Sequence, residues 1–217
     1  TTTPYTKINN PAELPAGNAT GCSYSPDGTR LAVAHVNAPY ATVYNTATIP
    51  YTKIADPTEL PTGNGMGCSY SDDGTRLAVS HIAAPYVTIY DTTGAEYTKI
   101  ANPKTPLPGA GNDCAYSPDG TRLAVAHTTA PYLMIYDATA APYVGGPVGY
   151  VAPVGTPQSC AWSPDGTRLA VGHSGSPYIS VYSTLTYGKL RDPDTLPPNT
   201  PQSCAWSPDG TRLAVGH

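Results

Sequence analysis

Polar and apolar positions alternate along this chain in short runs. "GCSYS" (21–25) sets Cys22 and Tyr24 on one side and Ser23 and Ser25 on the other, the period of two of a half-buried strand. "SPDG" follows, with Pro second and Gly fourth, the order of a type I turn whose Gly is free to take positive φ. "TRLAVAH" (29–35) is apolar nearly throughout, as expected of a strand covered on both faces. "YATVYN" (40–45) alternates again and is β-branched. "YTKI" (51–54) is short and carries Lys53, which suits an exposed outer edge. No ten-residue stretch holds the helical period of about 3.6 residues, and Pro interrupts most windows. The pattern predicts four strands and no helix.

The whole unit then recurs. Cys22, Cys68, Cys114, Cys160 and Cys204 mark five copies at spacings of 46, 46, 46 and 44. The run "SPDGTRLAVAH", with small changes, starts at Ser25, Ser71, Ser117, Ser163 and Ser207. A fixed period of this size, with four strands per unit, predicts a β-propeller in which neighbouring blades bury each other's apolar faces. A linear stack of the same units would leave its end blades exposed. The expected fold is all-β: one domain over 1–217, with five four-stranded blades of about 46 residues and the last incomplete. The repeats centre on 22–54, 68–100, 114–150, 160–190, and 204–217 completed by 1–8.

The string "CSYSPDGTRLAVAH…PYVTIYD" resembles the WD40-type repeat, and "SPDGTRLAV" is also similar to the repeat of TolB-like propellers. The resemblance spans essentially the whole chain and implies the propeller fold. It departs in detail. Tyr44, Tyr90, Tyr136 and Tyr182 stand at the WD40 Trp position. Only Asp91 and Asp137 keep the Asp that follows, and the Gly-His before the first strand is missing. Arrays this uniform also resemble WD40-like repeats of tailed phages and designed symmetric propellers.

Composition narrows the functions. Net charge is −4 with no basic patch, so no nucleic-acid partner is expected. No run is long and apolar enough for a helical membrane span. The 21 Gly and 25 Pro keep the repeat period, so they read as turns rather than as disorder. Phe is absent, and 17 Tyr supply most aromatic packing. One Cys per copy, five in all, reads as buried small side chains rather than a disulfide framework. With no initiator Met, and Thr1 inside a repeat, a processed, excised or engineered product is expected.

Candidate chemistry lies in loops. In a four-stranded blade, loops after strands two and four share one face. That face holds the residues that differ between copies, so binding is expected there, at His35, Asn37, His81, His127, Thr129, His173, Ser174 and Ser176. The histidines recur too symmetrically for a tight metal site and read as ties between blade and connection. The Asp and Arg flanking each turn read as a hairpin ion pair or as Arg–carbonyl contacts between blades. Trp162 and Trp206 replace Tyr of the other copies and read as packing. No catalytic motif appears, so no enzyme activity, cofactor or metal is expected. The least regular stretch, 141–157, is apolar and reads as a drifted outer strand or a contact surface.

The fifth copy raises a separate expectation. The segment 1–8 supplies a fourth strand and 204–217 the first two, but no third strand exists for that blade. Pro4, Tyr5, Lys7, Leu213, Val215 and His217 therefore form a candidate assembly edge. Three outcomes stand open: a longer array, a strand donated by a neighbour, or a reduced blade. The functional expectation is a non-enzymatic scaffold for binding or assembly, extracellular or on a virion. Its ligand is a protein or a glycan on the variable-loop face, with self-association by strand donation. A lectin-like propeller and a designed propeller without natural ligand are the alternatives.

Overall fold

The structure is a computed structural model that describes residues 7–146 and 151–217. The described residues hold seventeen strands and no helix, arranged as five successive antiparallel sheets. Blade 1 comprises β1 (Ala19–Tyr24), β2 (Arg30–His35), β3 (Ala41–Asn45) and β4 (Thr52–Lys53). Blade 2 comprises β5 (Gly65–Tyr70), β6 (Arg76–His81), β7 (Val87–Asp91) and β8 (Thr98–Lys99). Blade 3 comprises β9 (Gly111–Tyr116), β10 (Arg122–His127), β11 (Leu133–Asp137) and β12 (Val144–Gly146). Blade 4 holds β13 (Pro157–Trp162), β14 (Arg168–His173) and β15 (Ile179–Ser183), and blade 5 holds β16 (Ser203–Trp206) and β17 (Leu213–Gly216). The molecule is a β-propeller array.

The repeated sequence explains the repeated geometry. Gly28 takes φ 69° at the end of its turn, a conformation that costs a side-chain-bearing residue about 1 kcal/mol or more, and Gly74, Gly120, Gly166 and Gly210 repeat it. The turn Asp pairs differently from expectation. Asp27 accepts hydrogen bonds from Ser25 Oγ (2.6 Å), Thr29 N (3.0 Å) and Thr29 Oγ1 (2.8 Å). Ser25 is the strongest influence holding that carboxyl down at about 2. Asp27 braces the hairpin, and no Asp–Arg pair crosses any of these turns among the described residues. Arg76 instead reaches Asp91 on β7 at 2.9 Å, and Arg122 reaches the Thr184 carbonyl of blade 4 at 3.4 Å.

Strand two divides its side chains between two neighbours. Ala32 and Ala34 of β2 pack with Val43 against Cys68, Tyr70 and Leu77 of blade 2. The same arrangement joins Ala78, Val87 and Ile89 to blade 3, and Ala124, Ala126 and Leu133 to blade 4. Each core therefore spans one blade boundary. Alanine on one side of the strand lets the next blade approach; Leu and Val on the other side fill the space toward the preceding blade. Tyrosine hydroxyls pair within these cores, Tyr70 with Tyr97 at 2.7 Å and Tyr116 with Tyr143 at 3.0 Å. First strands are also stitched to each other: Tyr70 N donates to Ser23 Oγ (3.2 Å) and Tyr116 N to Ser69 Oγ (3.1 Å). Where blades 3 and 4 carry Ala instead of Ser, indole N–H groups reach backbone carbonyls, Trp162 to Ala115 (3.0 Å) and Trp206 to Ala161 (3.1 Å). Both Trp residues are packing residues.

Outer strands are shorter than the sequence pattern suggests. β4 and β8 contain two residues each, and blade 4 replaces its fourth strand with an isolated bridge between Tyr182 and Lys189. In 141–157, β12 is a three-residue strand with Val144 exposed; 147–150 lie outside the described residues. Blade 5 has two strands among the described residues. Pro4 and Tyr5 fall outside them, and Lys7 is exposed and in no strand.

Candidate functional site

The face carrying the strand-two loops is built by hydrogen bonds between each loop and the connection entering its own blade. Val36 N donates to the Asn18 carbonyl, Ile82 N to Asn64, Thr128 N to Ala110 and Ser174 N to Thr156, at 2.9 to 3.2 Å. These bonds place the variable loops beside the Pro-rich connections. Each loop closes on a left-handed Tyr: His35 N donates to the Tyr40 carbonyl, and Tyr40, at φ 68°, donates its N–H to Asn37. Tyr86, Tyr132 and Tyr178 repeat that positive φ.

The candidate residues on this face separate into two groups. Asn37, Thr129, Ser174 and Ser176 are exposed. His35, His81, His127 and His173 are fully buried, so they support the face from beneath and present no imidazole to solvent. His173 Nδ1 meets the Val154 carbonyl of its connection at 2.9 Å, the tie expected from the sequence. The Nε2 atoms meet the third strand: His35 with Thr42 Oγ1, His81 with Thr88 Oγ1 and His173 with Ser180 Oγ, all at 2.9 Å. Burial pushes His81 and His127 down to about 4 and lowers His173 as well. The surface above them combines hydroxyls with exposed apolar side chains, Leu14, Leu60, Ile82 and Leu196 among them. Such a surface suits contact with another protein.

A second feature escaped the sequence reading. β1, β5, β9 and β13 converge on a cavity of about 440 Å³ lined in part by Asp113. Asp113 stands where the other copies have Gly21, Gly67, Ser159 and Ser203, and that break in the repeat is the signal that could have revealed it. Its carboxylate accepts from Cys114 N and Cys160 N, both at 2.9 Å, and so clamps blade 3 to blade 4. Desolvation outweighs those bonds and raises its pKa to about 6. Gly67 faces it, and a Cβ there would collide with Asp113 Oδ1. With both oxygens engaged by backbone, Asp113 serves the junction of blades 3 and 4. Among the described residues no three His, Cys, Asp or Glu side chains gather in a way that could hold a metal ion.

The third feature is the pair of terminal blade surfaces, one of which holds residues of the candidate assembly edge. Tyr24 is 52% exposed, whereas Tyr70 and Tyr116, its counterparts, are 7% and 8% exposed. Cys22 is exposed while Cys68, Cys114 and Cys160 are buried. At the other end, Leu213 and Val215 line an apolar cavity of about 500 Å³ with Ile179, Leu196 and His217. The structure brings Leu213, Val215 and His217 together there.

No known family's sequence profile matches the chain, and no curated protein sequence matches it. Solved structures do. Hydrazine synthase of Kuenenia stuttgartiensis superposes with a TM-score of 0.72 at 18% identity, covering 91% of this chain and 55% of that one. The β-propeller domain of Cps50 (Swd1) from Myceliophteria thermophila gives 0.71 at 16% identity, covering 96% and 64%. The chain thus spans between about half and two thirds of the structures it matches. These likenesses establish the propeller fold.

Proposed function

We propose that this chain is a non-catalytic propeller scaffold whose terminal blade faces join one copy to another. The observation that carries the reading is the exposure of Tyr24 and Cys22 on a face whose internal copies are sealed. The matching surface lies at the opposite end. Ala214 and Gly216 of β17 occupy the positions of Ala32 and Ala34, which cover Cys68 and Tyr70 inside the array, and both are exposed. Blade 5 of one copy against blade 1 of the next therefore repeats the residue types of an internal boundary. Such a contact is heterologous, joining different patches, and propagates head to tail into a ring or a filament.

Sedimentation velocity over a wide concentration range tests this reading. Growth in mass with concentration, abolished by Tyr24→Lys, is expected. A strict monomer at every concentration would contradict it.

A further inference from the structure

The second strands of blades 1 to 4 begin with an arginine, and its partners differ from copy to copy. In blade 2, Arg76 Nη1 donates to Asp91 Oδ2 and to the Thr75 carbonyl, both at 2.9 Å. In blade 1, β2 sets Arg30 opposite Asn45, as β6 sets Arg76 opposite Asp91. Asn45 Oδ1 accepts from Ala47 N at 2.9 Å, the bond that Asp91 Oδ1 makes with Thr93 N. The arm of Asn45 left over is the amide Nδ2, a donor, where Asp91 offers Arg76 an acceptor. Arg30 Nη1 is accordingly buried without a hydrogen-bond partner, the one such arginine nitrogen among the described residues.

The same guanidinium borders a cavity. Arg30 lies over Tyr97 of blade 2, 5.8 Å from the ring centroid, and both side chains line a space of about 240 Å³ at the boundary of blades 1 and 2. Asp27 and Asp73 line it from the turns of the two blades. Turn hydrogen bonds, those of the Ser25 and Ser71 hydroxyls foremost, hold Asp27 at about 2 and Asp73 below the ordinary carboxylate range. Both are therefore anionic at neutral pH. Each keeps acceptor capacity: Asp27 Oδ2 receives one hydrogen bond, from Thr29 Oγ1, and Asp73 Oδ2 receives one, from Thr75 Oγ1. The cavity thus sets one cation without a carboxylate partner against two carboxylates. It is smaller than the roughly 300–1,000 Å³ of sites for drug-sized ligands.

We infer that this cavity is a binding site for a small amino carboxylate, a zwitterion of amino-acid size. Its carboxylate takes the place at Arg30 that Asp91 holds at Arg76, in a charge-assisted hydrogen bond. Its ammonium turns to Asp27 and Asp73. A simple anion would satisfy Arg30 but face two aspartates, and a simple cation would face Arg30. A ligand carrying both charges is complementary to the whole lining.

Titration of the full chain with glycine, β-alanine and γ-aminobutyrate, followed by the heteronuclear NMR signal of the Arg30 Nε–H, tests the site. Acetate and methylammonium serve as half-ligands. At least one amino carboxylate should saturate with a Kd below about 10 mM, at least about tenfold tighter than either half-ligand. Asn45→Asp should abolish the response, because it hands Arg30 the internal partner that Arg76 has in blade 2, in a pair the fold already accommodates. No saturable shift up to about 100 mM overturns the inference. So does an Asn45→Asp chain that responds like the parent, or acetate that binds as tightly as the amino carboxylates.

Discussion

Residues 156–173 and 200–217 are identical in sequence, yet one is core and the other is surface. In blade 4, Leu169 and Val171 are 1% and 0% exposed and the strands run the full six residues. In blade 5 the same letters form strands of four residues, with Ala214 and Gly216 exposed and Leu213 and Val215 half-buried. The difference comes from the surroundings. Blade 4 has β15 along its edge and blade 5 against its face, whereas blade 5 has neither partner among the described residues. Burial in this fold belongs to the boundary between blades, and a blade's own sequence supplies only half of each boundary. Tyr24 makes the same point at the opposite end.

The comparison breaks most sharply under paired truncations. Leu169→Ala should cost about 2–5 kcal/mol, the range for a fully buried Leu leaving a cavity. Leu213→Ala, in the same local sequence, should cost under about 1 kcal/mol, as for a weakly packed surface site. Equilibrium denaturation by urea measures both, and equal costs would remove the distinction between the blades.

The buried histidines give the next effect. His81 and His127 are held near 4, below the usual His value of about 6.5. Between those values the unfolded chain binds protons that the folded chain refuses, so stability is present above about pH 6.5 and is lost as pH falls toward 4. Each such group adds a slope of at most about 1.4 kcal/mol per pH unit. Asp113 acts in the opposite sense. Its pKa is raised to about 6, so the folded state takes up its proton first, and its contribution is lost as pH rises through that value. Thermal melts from pH 7 to 4.5 should show a falling Tm, and a steeper fall in Asp113→Asn. A flat profile would show that the imidazoles are not buried neutral.

Much of this architecture was legible in the sequence because strand alternation and turn chemistry are local and are stated five times over. The Pro-rich connections were legible for the same reason; the expected His tie is made by His173 to Val154, whereas His35 Nδ1 meets Val36 of its own loop. The short outer strands were not: β4 pairs at only two positions, Tyr44 with Lys53 and Asn45 with Thr52, and the alternation of "YTKI" carries no information on how far pairing extends. Asp113 was missed because its role depends on the Cys160 N–H of the next blade, 47 residues away. Of the two readings of the turn Asp and Arg, the hairpin ion pair fails because the Ser25 and Thr29 hydroxyls lie closer in the turn than any Arg side chain, while the Arg–carbonyl contact between blades is made by Arg122 to Thr184. What distinguishes Tyr24 from Tyr70 is a neighbour across a boundary, which no single repeat encodes.

The five equivalent cysteines report that boundary directly. Burial raises Cys68 to about 12 and lifts Cys114 and Cys160 well above the ordinary thiol range, while Cys22 is exposed and Cys204 partly so. Thiolate is the reactive form, so alkylation follows access and ionisation together. Dilute native protein treated with a maleimide and read by peptide mass spectrometry should modify Cys22 first and Cys204 later. Cys68, Cys114 and Cys160 should react only on unfolding. Uniform modification of all five, or protection of Cys22 equal to that of Cys68, would contradict the account of sealed internal boundaries and open terminal faces.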